Sequence, residues 1–102
     1  MNRLLVLYNQ PADPAAFDKY YPERHLPIFR KVSGVRSMVF NSGPPGAIAG
    51  TAPHLAVKMT FDSMADFERA LDSPGGQAAK ADLANFAQAG VTILVYDIRE
   101  GN

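Results

Sequence analysis

The hydrophobic and polar positions along the chain predict four strands, separated by segments that have helical spacing or turn residues. Apolar runs of strand length occur at residues 4–8, 35–41, 54–61 and 91–99. The segment 42–53 is rich in Gly and Pro and is predicted to be a loop. The third run alternates apolar and polar positions, whereas the first and last runs are apolar on both faces. Strands of the latter kind need cover on both sides.

The first helical region, residues 14–31, is predicted to be kinked or divided. It begins with Asp13 as N-cap and Pro14 at its first position, and aromatic residues follow at helical spacing. Pro22 and Pro27 would each remove one backbone hydrogen bond inside it, at a cost of ~3 kcal/mol in a helix interior. Such prolines bend or break a helix.

A second helical region begins at the capping box of residues 63–66, is interrupted at residues 73–76 and ends at Gly90. The order β-α-β-β-α-β predicts a single α+β domain over residues 1–102, with the ferredoxin-like fold and helices on one face of a four-stranded antiparallel sheet. The other face keeps the apolar side chains of the first and last strands. A second copy packed sheet to sheet would cover them, so a homodimer is expected; the alternative is a moderately apolar free surface.

Composition changes this picture by exclusion. Ten basic residues balance ten acidic ones, without the Lys and Arg clusters that binding to nucleic acid or to an anionic membrane requires. The absence of cysteine excludes disulfides, thiol catalysis and thiolate metal ligands. No apolar run approaches a membrane span, and the run at residues 4–8 is too short for a signal peptide, so a cytoplasmic protein is expected.

His25 is the strongest candidate for chemistry. Phe17, Tyr21 and His25 are spaced by four residues and would share one face of a continuous helix. An imidazole beside a phenol on a half-buried face can work as a general acid/base pair, because its pKa lies near physiological pH. The alternative is a structural histidine that bonds a carbonyl group at the end of a proline-broken helix.

The other polar candidates also have structural alternatives. His54, at the start of the third strand, is expected to be a strand-edge residue, and a metal site would require it to converge with His25 from a separate element. Asn9, at the end of the first strand, either binds a ligand or forms a turn before Pro11. Lys58 is either a paired interior charge or a side chain that extends to solvent. No GxGxxG, GxSxG, HExxH or P-loop pattern is present, so neither a cofactor nor a metal is expected.

Residues 4–35 resemble the EthD family. They contain a strand that ends in a Tyr-x-x-Pro turn, a Tyr-rich helix, a His-Leu-Pro element and a Gly before the next strand. The resemblance continues through residues 61–63 and the closing strand, and so covers nearly the whole chain. One departure is Pro22, where similar proteins usually carry a charged helix former; it bears on the course of the helix and on the aim of His25.

The resemblance implies a dimeric α+β barrel with a pocket between helices and sheet. Relatives of this barrel include cofactor-free monooxygenases, muconolactone isomerases and polyketide cyclases or decarboxylases that act on small, often aromatic molecules. Carried onto this chain, it implies a small hydrophobic or aromatic ligand, with His25 as general acid/base and Tyr21 as its partner. The ligand-binding residues it implies are Tyr8, Asn9, Phe17 and Tyr20. The alternative is a non-catalytic ligand-binding or accessory protein of ether or aromatic degradation.

Overall fold

Four strands form one antiparallel sheet in the computed structural model, which describes residues 1–101. The strands run in the spatial order β2-β3-β1-β4, with every neighbouring pair antiparallel. Their bounds are β1 (Asn2–Tyr8), β2 (Ser37–Phe40), β3 (Leu55–Phe61) and β4 (Val91–Asp97). The predicted ferredoxin-like arrangement is confirmed. The predicted ends of β2 and β4 were too long, because both are edge strands that pair on one side only.

The first helical region is divided, as the two prolines predicted. It consists of α1 (Pro14–Tyr20), a π-helical turn (Tyr21–His25) and α2 (Leu26–Phe29). The wider turn is closed by the Leu26 N–H, which donates to the Tyr21 carbonyl five residues earlier. This geometry buries both ends of the π turn, Tyr21 and His25, against the sheet side of the molecule.

The second helical region consists of α3 (Met64–Asp72) and α4 (Pro74–Phe86), joined through Ser73. The Ser73 hydroxyl donates to the Ala70 carbonyl at 2.6 Å and accepts from the Gly76 N–H at 3.1 Å, so one side chain ends α3 and caps α4. This sharp junction sets the direction in which α4 crosses the sheet. No helix within residues 1–101 is long and apolar enough to cross a lipid bilayer.

The two faces of the sheet differ in cover. The helices pack on one face, where the buried strand residues include Leu4, Val6, Val57, Met59 and Phe61. The opposite face has no helix over it, and Lys58 lies exposed there. Four large apolar side chains on that open face are between 41% and 51% exposed: Val39, Leu94, Tyr96 and Ile98.

Candidate functional site

A cavity of about 210 Å³ lies between the sheet and the helices. This volume corresponds to roughly seven water molecules at ~30 Å³ each, so it fits a molecule of one or two rings. Three polar side chains reach it, Tyr8, His25 and Lys80, and two of its lining residues, Lys80 and Ile93, are exposed at its mouth. The rest of the wall is apolar and includes Leu4, Val6, Phe29, Phe61, Phe67 and Leu83.

His25 forms a buried pair with Asp82 of α4. The His25 side chain is fully buried, and its Nδ1 lies 2.9 Å from Asp82 Oδ2. The other carboxylate oxygen accepts from the Tyr20 hydroxyl at 2.7 Å and from the Asn85 amide at 2.9 Å. Burial alone would raise the pKa of Asp82, but the hydrogen bonds from Asn85, His25 and Tyr20 hold that pKa below its ordinary value. Asp82 is therefore ionised at neutral pH.

This pair determines the state of the imidazole. An ionised carboxylate only accepts hydrogen bonds, so Nδ1 carries the ring proton and Nε2 carries a lone pair. His25 Nε2 is buried and has no hydrogen-bond partner within residues 1–101. Burial lowers the pKa of His25, and the interaction with Asp82 offsets this only in part. A neutral imidazole with a free lone pair thus lines an apolar cavity.

Aromatic rings hold this imidazole in place. The ring centroids of Phe86, Phe29 and Tyr21 lie 4.6, 5.2 and 5.3 Å from that of His25. Tyr21 also contacts Tyr8 at a centroid distance of 5.7 Å, so the phenol predicted as partner of His25 lies between the imidazole and a cavity residue. Burial raises the pKa of both tyrosines, which remain protonated and able to donate hydrogen bonds.

Three residues predicted to bind a ligand lie outside the cavity wall. Tyr20 bonds the carboxylate described above, and this hydrogen bond raises the pKa of its phenol. Phe17 stacks on Tyr21 at a centroid distance of 6.0 Å. The Asn9 amide donates to the Ala89 carbonyl at 3.0 Å and so joins the end of β1 to the segment before β4. Of the four residues, Tyr8 is the one that lines the cavity.

Sequence reasoning missed Asp82, although a signal was present. The predicted apolar face of the second helical region included Ala79, Leu83 and Phe86, and Asp82 follows Ala79 by three residues and precedes Phe86 by four. A carboxylate at that spacing lies on the buried face of the helix, and a buried carboxylate needs a partner. The position of that partner, His25, is 57 residues away along the chain.

The second histidine lies at a separate place. His54 immediately precedes β3, and its Nε2 lies 2.7 Å from Asp18 Oδ1 in α1. This contact joins the start of the strand to the helix packed over it. Within residues 1–101, no group of three His, Asp or Glu side chains is arranged to hold a metal ion.

The free energy of unfolding is expected to fall as the pH is lowered from about 7 to about 5. The pKa of folded His25 lies below the unfolded value of about 6.5, so the unfolded chain takes up the proton first. The contribution is complete above the unfolded pKa and is lost below it, by at most about 1.4 kcal/mol per pH unit. Urea titrations across this range measure the slope, and ¹⁵N NMR of the ring measures the pKa and the Nδ1–H tautomer.

The matched variant is His25→Gln, which retains His54 and removes the buried imidazole. Its unfolding free energy should depend less on pH over the same range. An unchanged slope, or a His25 pKa at or above about 6.5, contradicts the assignment.

The fold and the cavity place the protein in the class of ferredoxin-like α+β domains. Within that class the chain belongs to the EthD family, because the EthD domain model matches residues 9–90. An uncharacterised 11.0 kDa protein from the thcB-thcC intergenic region of Rhodococcus erythropolis is 40% identical over 99 residues, which cover 95% of this chain and 94% of that protein. The resemblance deduced from the sequence is confirmed.

Solved structures agree with this placement. An ethyl tert-butyl ether d (EthD) family protein from Bacillus halodurans has 28% identity and a TM-score of 0.85, covering 97% of this chain and 99% of its own. A dimeric ferredoxin-like protein of unknown function from Thermobifida fusca has 16% identity and a TM-score of 0.70, covering 95% and 90%. SnoaB, a cofactor-independent oxygenase from Streptomyces nogalater, has 14% identity and a TM-score of 0.64, covering 97% and 92%. The last two show likeness of fold alone.

Proposed function

We propose that this protein is a homodimer of single-domain chains that removes a proton from an activated carbon of a small hydrophobic or aromatic molecule, without a cofactor and with His25 as general base. One observation carries the proposal: the buried Nε2 of His25 has no partner within residues 1–101, and His25 belongs to the wall of an apolar cavity. A buried polar atom without a partner is costly, and such atoms in native structures need an explanation. A ligand that supplies a proton to Nε2 provides one.

The proposed step is a single proton transfer. The substrate C–H bond breaks, its electron pair stays on the substrate as an enolate or phenolate-type carbanion, and the proton moves to Nε2. The imidazolium that forms is stabilised by Asp82 at Nδ1, 2.9 Å away. The protonated Tyr8 phenol in the same wall supplies a hydrogen-bond donor for the developing negative charge.

The later course of the reaction separates the enzyme classes that share this step. Return of the proton to a different carbon is isomerisation. A decarboxylase would use the imidazolium as an acid, to protonate the carbanion left after loss of CO₂. Reaction of the carbanion with O₂ is the route of a cofactor-independent oxygenase, the description given to the Streptomyces nogalater protein of the same fold.

Deuterium exchange tests the proton transfer without knowledge of the natural substrate. Benzyl methyl ketone has one ring and acidic benzylic hydrogens, and it suits the size and apolar wall of the cavity. In D₂O the wild-type protein is expected to accelerate benzylic exchange over buffer, as measured by proton NMR. Exchange at the buffer rate, for this ketone and for a set of substituted aryl ketones, contradicts the proposed base.

The same experiment separates the second candidate function, a non-catalytic carrier or accessory protein of ether or aromatic degradation. Its support is that His25 is the single buried group of the cavity wall with a free acceptor, so no complete catalytic triad is formed within residues 1–101. Saturable binding of the ketone by calorimetry, with no exchange above buffer, would favour this candidate.

The homodimer is proposed on the open face of the sheet. Exposed Val39, Leu94, Tyr96 and Ile98 form an apolar surface there, and a structural neighbour is described as dimeric. Leu94→Lys places a charge in the middle of this surface, near Lys58, and is expected to raise the dimer dissociation constant about 30-fold or more.

Light scattering after size exclusion measures this change. The control is Ile48→Lys, at a fully exposed position in the loop between β2 and β3, which should leave the mass unchanged. A wild-type chain that is monomeric at micromolar concentration would rule out the dimer.

A further inference from the structure

Lys80 stands at the mouth of the cavity without a partner. It is exposed and belongs to the cavity wall, and it forms no ion pair or side-chain hydrogen bond with the rest of residues 1–101. Its neighbours one turn away along α4 are Gly76, Gln77, Leu83 and Ala84, none of which is acidic. The cavity therefore has one positive charge at its entrance and an apolar interior.

We propose that the ligand of this cavity is an aromatic or aliphatic carboxylate whose negative charge binds Lys80 at the mouth while its apolar body fills the interior toward His25. The inference rests on the proposed function for the reacting end of the ligand, and it adds the chemistry of the other end. It makes Lys80 the residue that determines specificity for an acid over a neutral analogue.

The charges at the two ends of the cavity require this orientation. Asp82 keeps a negative charge behind His25, so a carboxylate at the inner end would be repelled and would lose its water. At the mouth the carboxylate stays hydrated on one side and faces the ammonium group on the other. A single lysine without an arginine fork suits an anion of one charge.

The apolar wall favours the same division of the ligand. Between Lys80 and His25 the cavity is bounded by residues such as Val6, Phe61 and Leu83, which offer no hydrogen bonds from their side chains. A ligand with one charged end and one hydrophobic end buries only its hydrophobic part. Exposed Ile93, across the mouth from α4, extends the apolar surface to the entrance.

A matched pair of probes tests the inference: the para-carboxylate and the para-carboxamide of benzyl methyl ketone. They share the reacting carbon and nearly the same shape, and they differ in one charge. Calorimetry is expected to show about five- to tenfold tighter binding of the carboxylate to the wild-type protein, with the difference shrinking at high salt. Lys80→Met should equalise the two dissociation constants, and Lys80→Glu should reverse their order.

The control is Lys19→Met, which removes an exposed lysine of α1 outside the cavity wall and should keep the wild-type preference. Equal binding of the two probes by the wild-type protein, or a preference that persists in Lys80→Met, overturns the role of Lys80. Because the readout is binding, it is independent of exchange. Preference for the acid without any exchange would refute the general base and leave the anion site standing.

Discussion

Replacement of His25 by alanine is expected to lower the rate of benzylic exchange about 10²- to 10⁴-fold, which is the usual contribution of a positioned general base. The reason is geometric. The imidazole is the buried group whose free nitrogen belongs to the cavity wall, and Asp82 fixes its proton on the opposite nitrogen. Water admitted by the smaller side chain would be a weaker and poorly oriented base. Proton NMR in D₂O measures the loss.

The matched control is His54→Ala, because this histidine also pairs with an aspartate but lies outside the cavity wall. It should retain wild-type exchange. Removal of the fully buried His25 side chain also creates a cavity, so urea denaturation must show that the variant is folded under the assay conditions. A folded His25→Ala protein with unchanged exchange would remove the catalytic role and leave a structural one.

Gly76→Ala is expected to destabilise the protein by about 3 kcal/mol or more. A Cβ atom at this position would overlap the Ala70 carbonyl oxygen and would lie 2.6 Å from the Leu71 carbonyl oxygen. Both are backbone atoms of α3 and cannot rotate away. The clash would force α3 and α4 apart at Ser73, and α4 is the helix that carries Asp82 and Lys80. Urea denaturation monitored by circular dichroism measures the free energy of unfolding.

Two other glycines serve as controls for this effect. A Cβ at Gly75 would meet Val32 Cγ2 at 3.2 Å, and its small clash is countered by the better helix propensity of alanine, so Gly75→Ala should change stability by less than about 1 kcal/mol. At Gly43, in the loop after β2, an added Cβ would meet no atom within 4 Å, and Gly43→Ala should be neutral. A Gly76→Ala protein as stable as these two would contradict the close approach of α3 and α4.

Local signals predicted the fold well. Alternation and apolar runs predicted all four strands, and the two prolines predicted that residues 14–31 would not form one regular helix. The order of elements then left the ferredoxin-like arrangement, which the structure and the solved neighbours confirm. What these signals lacked was the form of the break, a π-helical turn, because the closing hydrogen bond depends on backbone geometry that a proline only makes possible.

The site was predicted in part. The spacing of Tyr21 and His25 pointed correctly to neighbouring rings, which lie 5.3 Å apart between their centroids. Tyr8 lines the cavity as the resemblance implied, whereas Asn9 bonds the backbone of the segment before β4. Asp82 was overlooked because a single acidic residue in a helical pattern is usually a solvated one, and its burial is evident only once α4 is placed over the π turn.

The sequence by itself determined the elements, their order and one histidine worth attention, because these follow from periodicity, capping and proline chemistry within a few neighbouring residues. The tertiary structure alone decided that Asp82 meets His25, that Nε2 is left without a partner among residues 1–101, and that Lys80 stands at the mouth of an apolar cavity. Each of these facts joins residues from separate elements, and the hydrophobic packing that brings such elements together depends on area and shape and leaves no local pattern in the chain.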